Sequence, residues 1–221
     1  DYQPSRAASC PKEFLSNYSG YLLSDGYKAY DSLENITQAA CLAHARRKFT
    51  DAQKGRASKK AGKIEVALNF ISQLYQIEAE GKLLNCAQRK ALREEKSKPI
   101  LDDFYVWLVK AQTTALPKSL IGKAINYTLN QWPKLIIYLE HGDISIDNNV
   151  TERDIRPFTT GRKNWMFAQS VNGAQASAVL YSLVMTCRAN DINPYFYFNK
   201  LFTELPQRNE LADLTDLFPW N

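Results

Sequence analysis

Two acidic residues stand out by their surroundings. Asp25 follows the apolar run Gly20-Tyr-Leu-Leu-Ser24 and precedes Gly26, the pattern of a strand that stops at a carboxylate just before the residue that best tolerates an abrupt turn. Glu152 lies in Asp147-Asn-Asn-Val-Thr-Glu152-Arg-Asp-Ile-Arg156-Pro157. There Asp147 or Asn148 can cap a helix and Pro157 should end or kink it, leaving Glu152 in mid-helix. Taken singly, a strand-end aspartate is more often a turn or cap residue, and a helical glutamate beside arginines a surface ion pair. A second pattern is Cys41-Leu-Ala-His44, whose thiol and imidazole have the types and spacing of half a zinc site. No second ligand pair is evident, because the only other histidine is His141; this favours a structural or substrate-orienting His44 over a metal ligand. A third is the clustering of cations at Arg46, Arg47 and Lys48, from Lys54 to Lys63, and at Arg153, Arg156, Arg162 and Lys163. Such clusters suit phosphates, although the Lys54 to Lys63 run alone reads as a solvated face.

These residues have to be positioned by a small α/β region and a long helical one. The apolar residues Phe14, Leu15 and Tyr18 sit at helical spacing before Asn17 to Gly20 ends that helix. The strand ending at Asp25 follows. The segment Thr37 to Ala43 then runs into His44-Ala-Arg-Arg-Lys-Phe49 as strand into helix. A helix-strand-helix-strand order suggests a sheet with crossover connections. From Ile64 to Leu139 the pattern is helical only. Its stripes are Ile64, Leu68, Ile71, Leu74 and Tyr75; Leu101, Phe104, Tyr105 and Leu108; and Leu120, Ala124, Ile125 and Leu129. Pro99, Pro117 and Pro133 fall where helices begin or break. Gly173 to Arg188 reads as an alanine-rich helix with Ala174, Ala178, Tyr181 and Met185 on one face, suited to close packing on a sheet. Tyr195-Phe-Tyr-Phe198 begins a last helix, and Leu217 to Asn221 forms a tail able to dock.

Composition sets wide limits. The chain has 221 residues, 45% of them hydrophobic and 23% charged, and no apolar run approaches a membrane span. Net charge is +5, from 28 Lys plus Arg against 23 Asp plus Glu, which permits a nucleic-acid partner without requiring one. Four scattered cysteines in a chain of this size argue against a disulfide framework and for a reducing cytoplasm. The opening Asp1-Tyr-Gln-Pro4 carries no basic leader or apolar segment, so no secretory signal is expected.

The motifs taken together are more specific. Cys41-Leu-Ala-His44-Ala-Arg-Arg-Lys-Phe49, Asp147 to Pro157 and Gly161-Arg-Lys-Asn-Trp-Met-Phe167 resemble the transposase family of insertion sequence sixty-six. The likeness starts at Asp1-Tyr-Gln-Pro-Ser-Arg6, passes through Ser24-Asp-Gly-Tyr-Lys-Ala-Tyr30, and ends at Asn193-Pro-Tyr195 and Pro219-Trp-Asn221. It implies a ribonuclease-H-like mixed sheet flanked by helices and interrupted by an all-helical insertion. Residues 1–63 would be the second part of the core, 64–140 the insertion, 141–190 the return with the glutamate helix, and 191–221 a C-terminal helix and tail.

In that reading Asp25 matches the family's second aspartate and Glu152 its glutamate, two of three carboxylates that hold two Mg²⁺ or Mn²⁺ ions. Cys41 and His44, with Asn148 and Asn149, would support them. Arg46, Arg47, Lys48, Arg153, Arg156, Arg162 and Lys163 would bind DNA, and Trp165 and Phe167 would pack either on an unpaired base or in the core. Phosphodiester cleavage and strand transfer at insertion-sequence ends follow, in a cytoplasmic, nucleoid-associated homo-oligomer with no membrane or small-molecule partner. Only 24 residues precede Asp25, too few for the strands that carry the first aspartate, so the 221-residue chain alone is expected to be inactive. The alternative is a DNA-binding or subunit-interaction module without chemistry.

Overall fold

The structure is a computed structural model that describes residues 2–55, 62–165, 168–209 and 211–220, with every side chain among them except those of Arg162 and Trp165. The apolar run after Tyr18 becomes β1 (Gly20–Ser24), and Ile36–Ala40 becomes β2. They pair in parallel, with Gly20 opposite Ile36 and Ser24 opposite Ala40. A single 3₁₀ stretch, Lys28–Ser32, makes the crossover. Among the described residues the sheet has these two strands and no other. Helix α1 (Ser9–Phe14) precedes it and is shorter than the apolar spacing suggested. Leu15 falls just past its end and Phe14 is exposed, so the proposed stripe does not drive this helix. One turn of chain has no neighbouring core against which to bury it.

Helix α2 (Leu42–Lys54) begins directly after β2 and buries Leu42, Ala45, Phe49 and Ala52, which recur at helical spacing on one face. The next four helices are α3 (Lys63–Glu80), α4 (Cys86–Leu92), α5 (Lys98–Thr113) and α6 (Leu120–Leu135). Helix α6 lies on both α2 and β2, while α3 bridges α2 and α5. One continuous apolar cluster joins β2 to α2, α3, α5 and α6 and extends to Ile144 and Ile146. Ile71, Leu74, Phe104, Leu108, Ala124 and Ile125 are completely buried in it. Tyr105 and Leu120, read as members of the stripes, are exposed edges of them. Pro99 stands in the first turn of α5 and Pro117 in the α5–α6 connection, but Pro133 lies inside α6.

Arg6–Val150 forms one compact unit, and Asp1–Ser5 with Thr151–Asn221 forms another. The second unit contains most of α7 (Asn149–Trp165), together with α8 (Val171–Ala189) and α9 (Pro194–Glu204). Helix α7 runs through Pro157 rather than ending there. Proline at that point removes one intrahelical hydrogen bond, from a partner carbonyl on the exposed Arg153 that water can satisfy. Glu152 is consequently in the first turn, not mid-helix. Helix α8 sets Ala178, Tyr181 and Met185 opposite Ile155 and Phe158 of α7, and the Phe158 and Tyr181 rings meet edge to face at 4.9 Å. Its small-residue face is thus used against a helix. The tail docks through the buried Leu217, whose carbonyl accepts the Tyr197 hydroxyl at 2.9 Å.

Candidate functional site

The carboxyl ends of parallel strands are where α/β folds collect ligand groups, because the connecting loops diverge there and leave a crevice. Asp25 is the first residue past the end of β1. One of its oxygens accepts the Tyr27 amide at 3.0 Å, an Asx turn of the kind aspartate forms. Its other oxygen has no protein partner among the described residues. Gly26 turns the chain with φ of +80°, a conformation costly to any residue with a Cβ. The Tyr127 hydroxyl of α6 reaches back to the Asp25 carbonyl at 3.3 Å, and the Lys48 ammonium lies 5.5 Å from the centre of the Tyr127 ring. Burial, then the negative potential of Cys41 and Asp25, holds the Tyr127 hydroxyl above its ordinary pKa.

The end of β2 is tied to the same edge. Cys41 donates its amide to the Ser24 carbonyl at 3.0 Å, and Leu42 donates to the Ile146 carbonyl at 3.0 Å. The Cys41 sulfur accepts the Asn148 amide at 3.4 Å. Burial pushes this thiol's pKa up, only partly opposed by amides that point at the sulfur, and the neighbouring Asp147 raises it further. A buried thiol held in its protonated form is a poor thiolate ligand, so Cys41 acts here as a joint between β1, β2 and the segment entering α7. His44 stands half-buried in the first turn of α2, and the other histidine lies elsewhere, beside Cys86.

Asp147 belongs to this edge, and sequence reasoning treated it only as a possible cap. It is half-buried. Its carboxylate accepts the Tyr75 hydroxyl of α3 at 2.7 Å, the Asn149 side chain at 2.7 Å and the Asn149 amide at 3.1 Å. Burial, then the bond to Asp147, raises the Tyr75 pKa strongly. Beside it, the Asn148 side-chain oxygen is buried without a protein partner. The available signal was the tyrosine in the α3 stripe: a buried tyrosine needs an acceptor for its hydroxyl.

Two grooves carry the basic residues. One, of about 590 Å³, is lined by Arg46, Arg47, Thr50 and Lys54 of α2, by Ser72 and Tyr75 of α3, and by Asn149. Lys48 is exposed on the same helix. The other lies within the second unit, about 560 Å³ in volume, and combines Arg153, Arg156 and Pro157 of α7 with Arg188 and Met185 of α8. Arg188 was not singled out from the sequence. Lys163 is exposed, whereas the side chains of Arg162 and Trp165, and Phe167, lie outside the described residues. Much of the Lys54 to Lys63 run, residues 56–61, lies outside them too. The structure therefore gathers Asp25, Cys41, Asp147, Asn148 and Asn149 in one unit, and places Glu152 in the other with Arg153 and Arg156.

Comparison with known proteins gives these groups a context. The model described as "Transposase IS66 family" matches residues 1–176, and "IS66 C-terminal element" matches residues 182–220. Three proteins of Sinorhizobium fredii (strain NBRC 101917 / NGR234) are similar over nearly the whole chain. "Uncharacterized protein y4hP" is 35% identical over 97% of it, y4qI 34% over 100%, and y4jD 31% over 100%. The chain spans about two-fifths of these relatives' length, 42%, 42% and 44% respectively. No solved structure matches it. Among the described residues no helix is long and apolar enough to cross a membrane. With the family model covering residues 1–176, the chain belongs to the IS66 family of transposases.

Proposed function

We propose that this chain carries two of the three metal-holding carboxylates of a DDE strand transferase with a ribonuclease-H-like core, and a large part of its DNA-binding surface. The observation that supports this best is the position of Asp25, a carboxylate with one unpartnered oxygen at the carboxyl end of a parallel strand pair. The donor set also fits hard divalent cations such as Mg²⁺ or Mn²⁺. Asp25 offers carboxylate oxygens, the hard ligands such ions take, and the nearby thiol is held protonated. By the family resemblance Asp25 and Glu152 would each be an ion ligand, and Asp147 braces the loop that carries Asn148 and Asn149. When bound, a metal pair stabilises charge on the attacking and leaving oxygens of the phosphodiester. The arginines of the two grooves neutralise flanking phosphates and fix the strand for in-line attack by water or a 3′-hydroxyl. Work on paired insertion-sequence ends calls for a homo-oligomer.

The test compares the 221-residue chain with one extended upstream through the family's first aspartate, assaying metal-dependent nicking of an insertion-sequence end. The extended chain should nick, and Asp25→Asn or Glu152→Gln should each lower its rate. Loss of several kcal/mol of charge stabilisation corresponds to at least about a hundredfold. The short chain should show no nicking but should bind DNA weakly and without sequence preference. If it nicks as well as the long chain, another acid, Asp31, Asp147 or Asp154, completes the site and the three-carboxylate assignment falls. The second reading, a binding module without chemistry, is favoured by the grooves themselves, whose cations do not depend on metal. It predicts DNA binding with no nicking by either chain. In both readings each phosphate-contacting arginine removed should lower the slope of log affinity against log salt by about 0.9.

A further inference from the structure

Away from the sheet edge, three metal-ligating groups of different chemistry meet. Cys86 is the first residue of α4, and His141 and Asp143 flank Gly142 in the turn that follows the helical block. One ligand atom from each lies within 4.8 Å of the others. The Cys86 sulfur is 3.6 Å from both ring nitrogens of His141; Nδ1 accepts the Asp143 amide at 3.3 Å, so rotation of the imidazole is needed to aim a nitrogen at an ion on the sulfur. The His141 Nδ1 and an Asp143 oxygen are 3.9 Å apart. With Zn–S of about 2.3 Å, Zn–N of about 2.0–2.1 Å and a tetrahedral angle, sulfur and nitrogen should stand about 3.6 Å apart. The sulfur–nitrogen edge already has that length, and the nitrogen–carboxylate edge has to close by roughly half an ångström.

The backbone around the three groups is fixed before any ion arrives. Arg89 donates to the Gly142 carbonyl at 2.9 Å and lies 3.8 Å from Asp143. Arg93, almost wholly buried, donates to the His141 carbonyl at 2.9 Å. A Cβ at Gly142 would come within 1.9 Å of the Cys86 carbonyl oxygen, so only glycine lets the turn approach α4 this closely. All three side chains reach solvent in part, which gives an ion a way in and leaves room for a water as fourth ligand.

We propose that Cys86, His141 and Asp143 form a zinc site that clips α4 to the turn leading into Asp147 and α7. Its soft thiolate and imidazole select Zn²⁺ over the hard cations suited to Asp25, and the thiol proton leaves as the metal–sulfur bond forms. This site does not depend on the transposase chemistry proposed above.

Cobalt(II) tests it, because thiolate-bound cobalt gives a near-ultraviolet charge-transfer band. Tag-free, metal-stripped 221-residue protein titrated with CoCl₂ should develop the band at one equivalent, and ZnCl₂ should abolish it. Cys86→Ser should remove the band, whereas Cys41→Ser should leave it unchanged. His141→Ala should weaken cobalt binding by more than the roughly 10–100-fold that loss of an outer-shell partner costs. Circular dichroism of each variant establishes that it is folded. Asp143→Asn, conservative in shape and exposed, provides a second reading: it should weaken binding while keeping the band. No band in the wild-type protein, or a band that survives Cys86→Ser, overturns the proposal, and a band lost with Cys41→Ser places the metal at the sheet edge instead.

Discussion

The unit Arg6–Val150 and the residues after Val150 are both mainly helical, yet they are held together by different forces. The first is organised around a continuous apolar cluster containing Phe49, Ile71, Leu74, Phe104 and Ile125. After Val150, Cys187 and Leu217 are the described apolar residues in the buried core, apart from Pro219, while Ile155, Val179, Phe196, Phe202 and Trp220 are exposed. What orders this second region locally is a set of polar devices. Ser170 caps α8, Asn193 caps α9, and Arg208 clasps Asp216. Hydrophobic burial dominates folding free energy, whereas caps and exposed ion pairs contribute about 1 kcal/mol or less each. Asp25 and Asp147 therefore stand on a rigid scaffold, and Glu152 begins a region whose stability is lower.

The largest test of that contrast uses one residue type twice. Phe104→Ala removes a completely buried ring and should destabilise the first unit by about 3–5 kcal/mol. Phe202→Ala removes an exposed ring and should change stability by no more than about 0.5 kcal/mol. Segment-resolved hydrogen exchange during denaturant titration measures both. Equal effects would mean that the second region has a core of its own.

The next effect concerns a charge inside the apolar unit. Arg93 is 1% exposed. It pairs with both oxygens of Glu78, at 2.8 and 2.7 Å, and donates to the Tyr138 and His141 carbonyls. Removing one partner of such a pair strands the other, so Arg93→Met should cost about 3 kcal/mol or more. Replacing Glu78 by leucine in the same protein should recover part of the loss, and denaturation midpoints of the single and double variants decide it. A smaller effect is expected at Tyr75→Phe, which deletes the bond to Asp147. A hydrogen bond to a carboxylate is worth roughly 1.5–3 kcal/mol, and this one joins two half-buried residues, so the lower figure applies.

The same contrast explains what could be read from the chain. The helical block was legible because Ile64, Ile71, Leu74, Leu101, Phe104 and Leu108 recur at helical spacing, and periodicity is what burial against neighbours leaves in a sequence. The strand ending at Asp25 was legible because a glycine with positive φ follows it. Arg93 was not, because nothing local distinguishes a buried arginine from a solvated one. Its partners lie 15, 45 and 48 residues away. Asp147 was half legible, as a cap, since its Tyr75 partner is 72 residues distant. Pro157 does not end α7, because propensity cannot foresee that the carbonyl it strands belongs to an exposed residue, Arg153. The approach of His141 to Cys86, across 55 residues, is a tertiary fact with no periodic trace.

The smallest expected effect is electrostatic and belongs to the tail. Asp216 accepts two hydrogen bonds from the Arg208 guanidinium, at 2.7 and 2.6 Å, and this bonding holds its carboxyl below the usual aspartate pKa. Asp213 is likewise lowered, chiefly by the Thr215 hydroxyl and amide. A folded pKa depressed below the unfolded value means the folded form binds its proton more weakly. The contribution to stability is thus complete above the unfolded aspartate range near pH 4 and disappears as pH falls through the folded value. Both carboxylates are exposed, so salt screens them and the effect stays local. An NMR titration of the Asp216 carboxyl carbon should give a midpoint below that of an unstructured aspartate. Arg208→Ala should return it to the ordinary range, and high salt should move it part of the way. A normal midpoint in the unmodified protein would show that the clasp does not persist in solution. The region after Val150 would then have lost one of the few polar devices that order it.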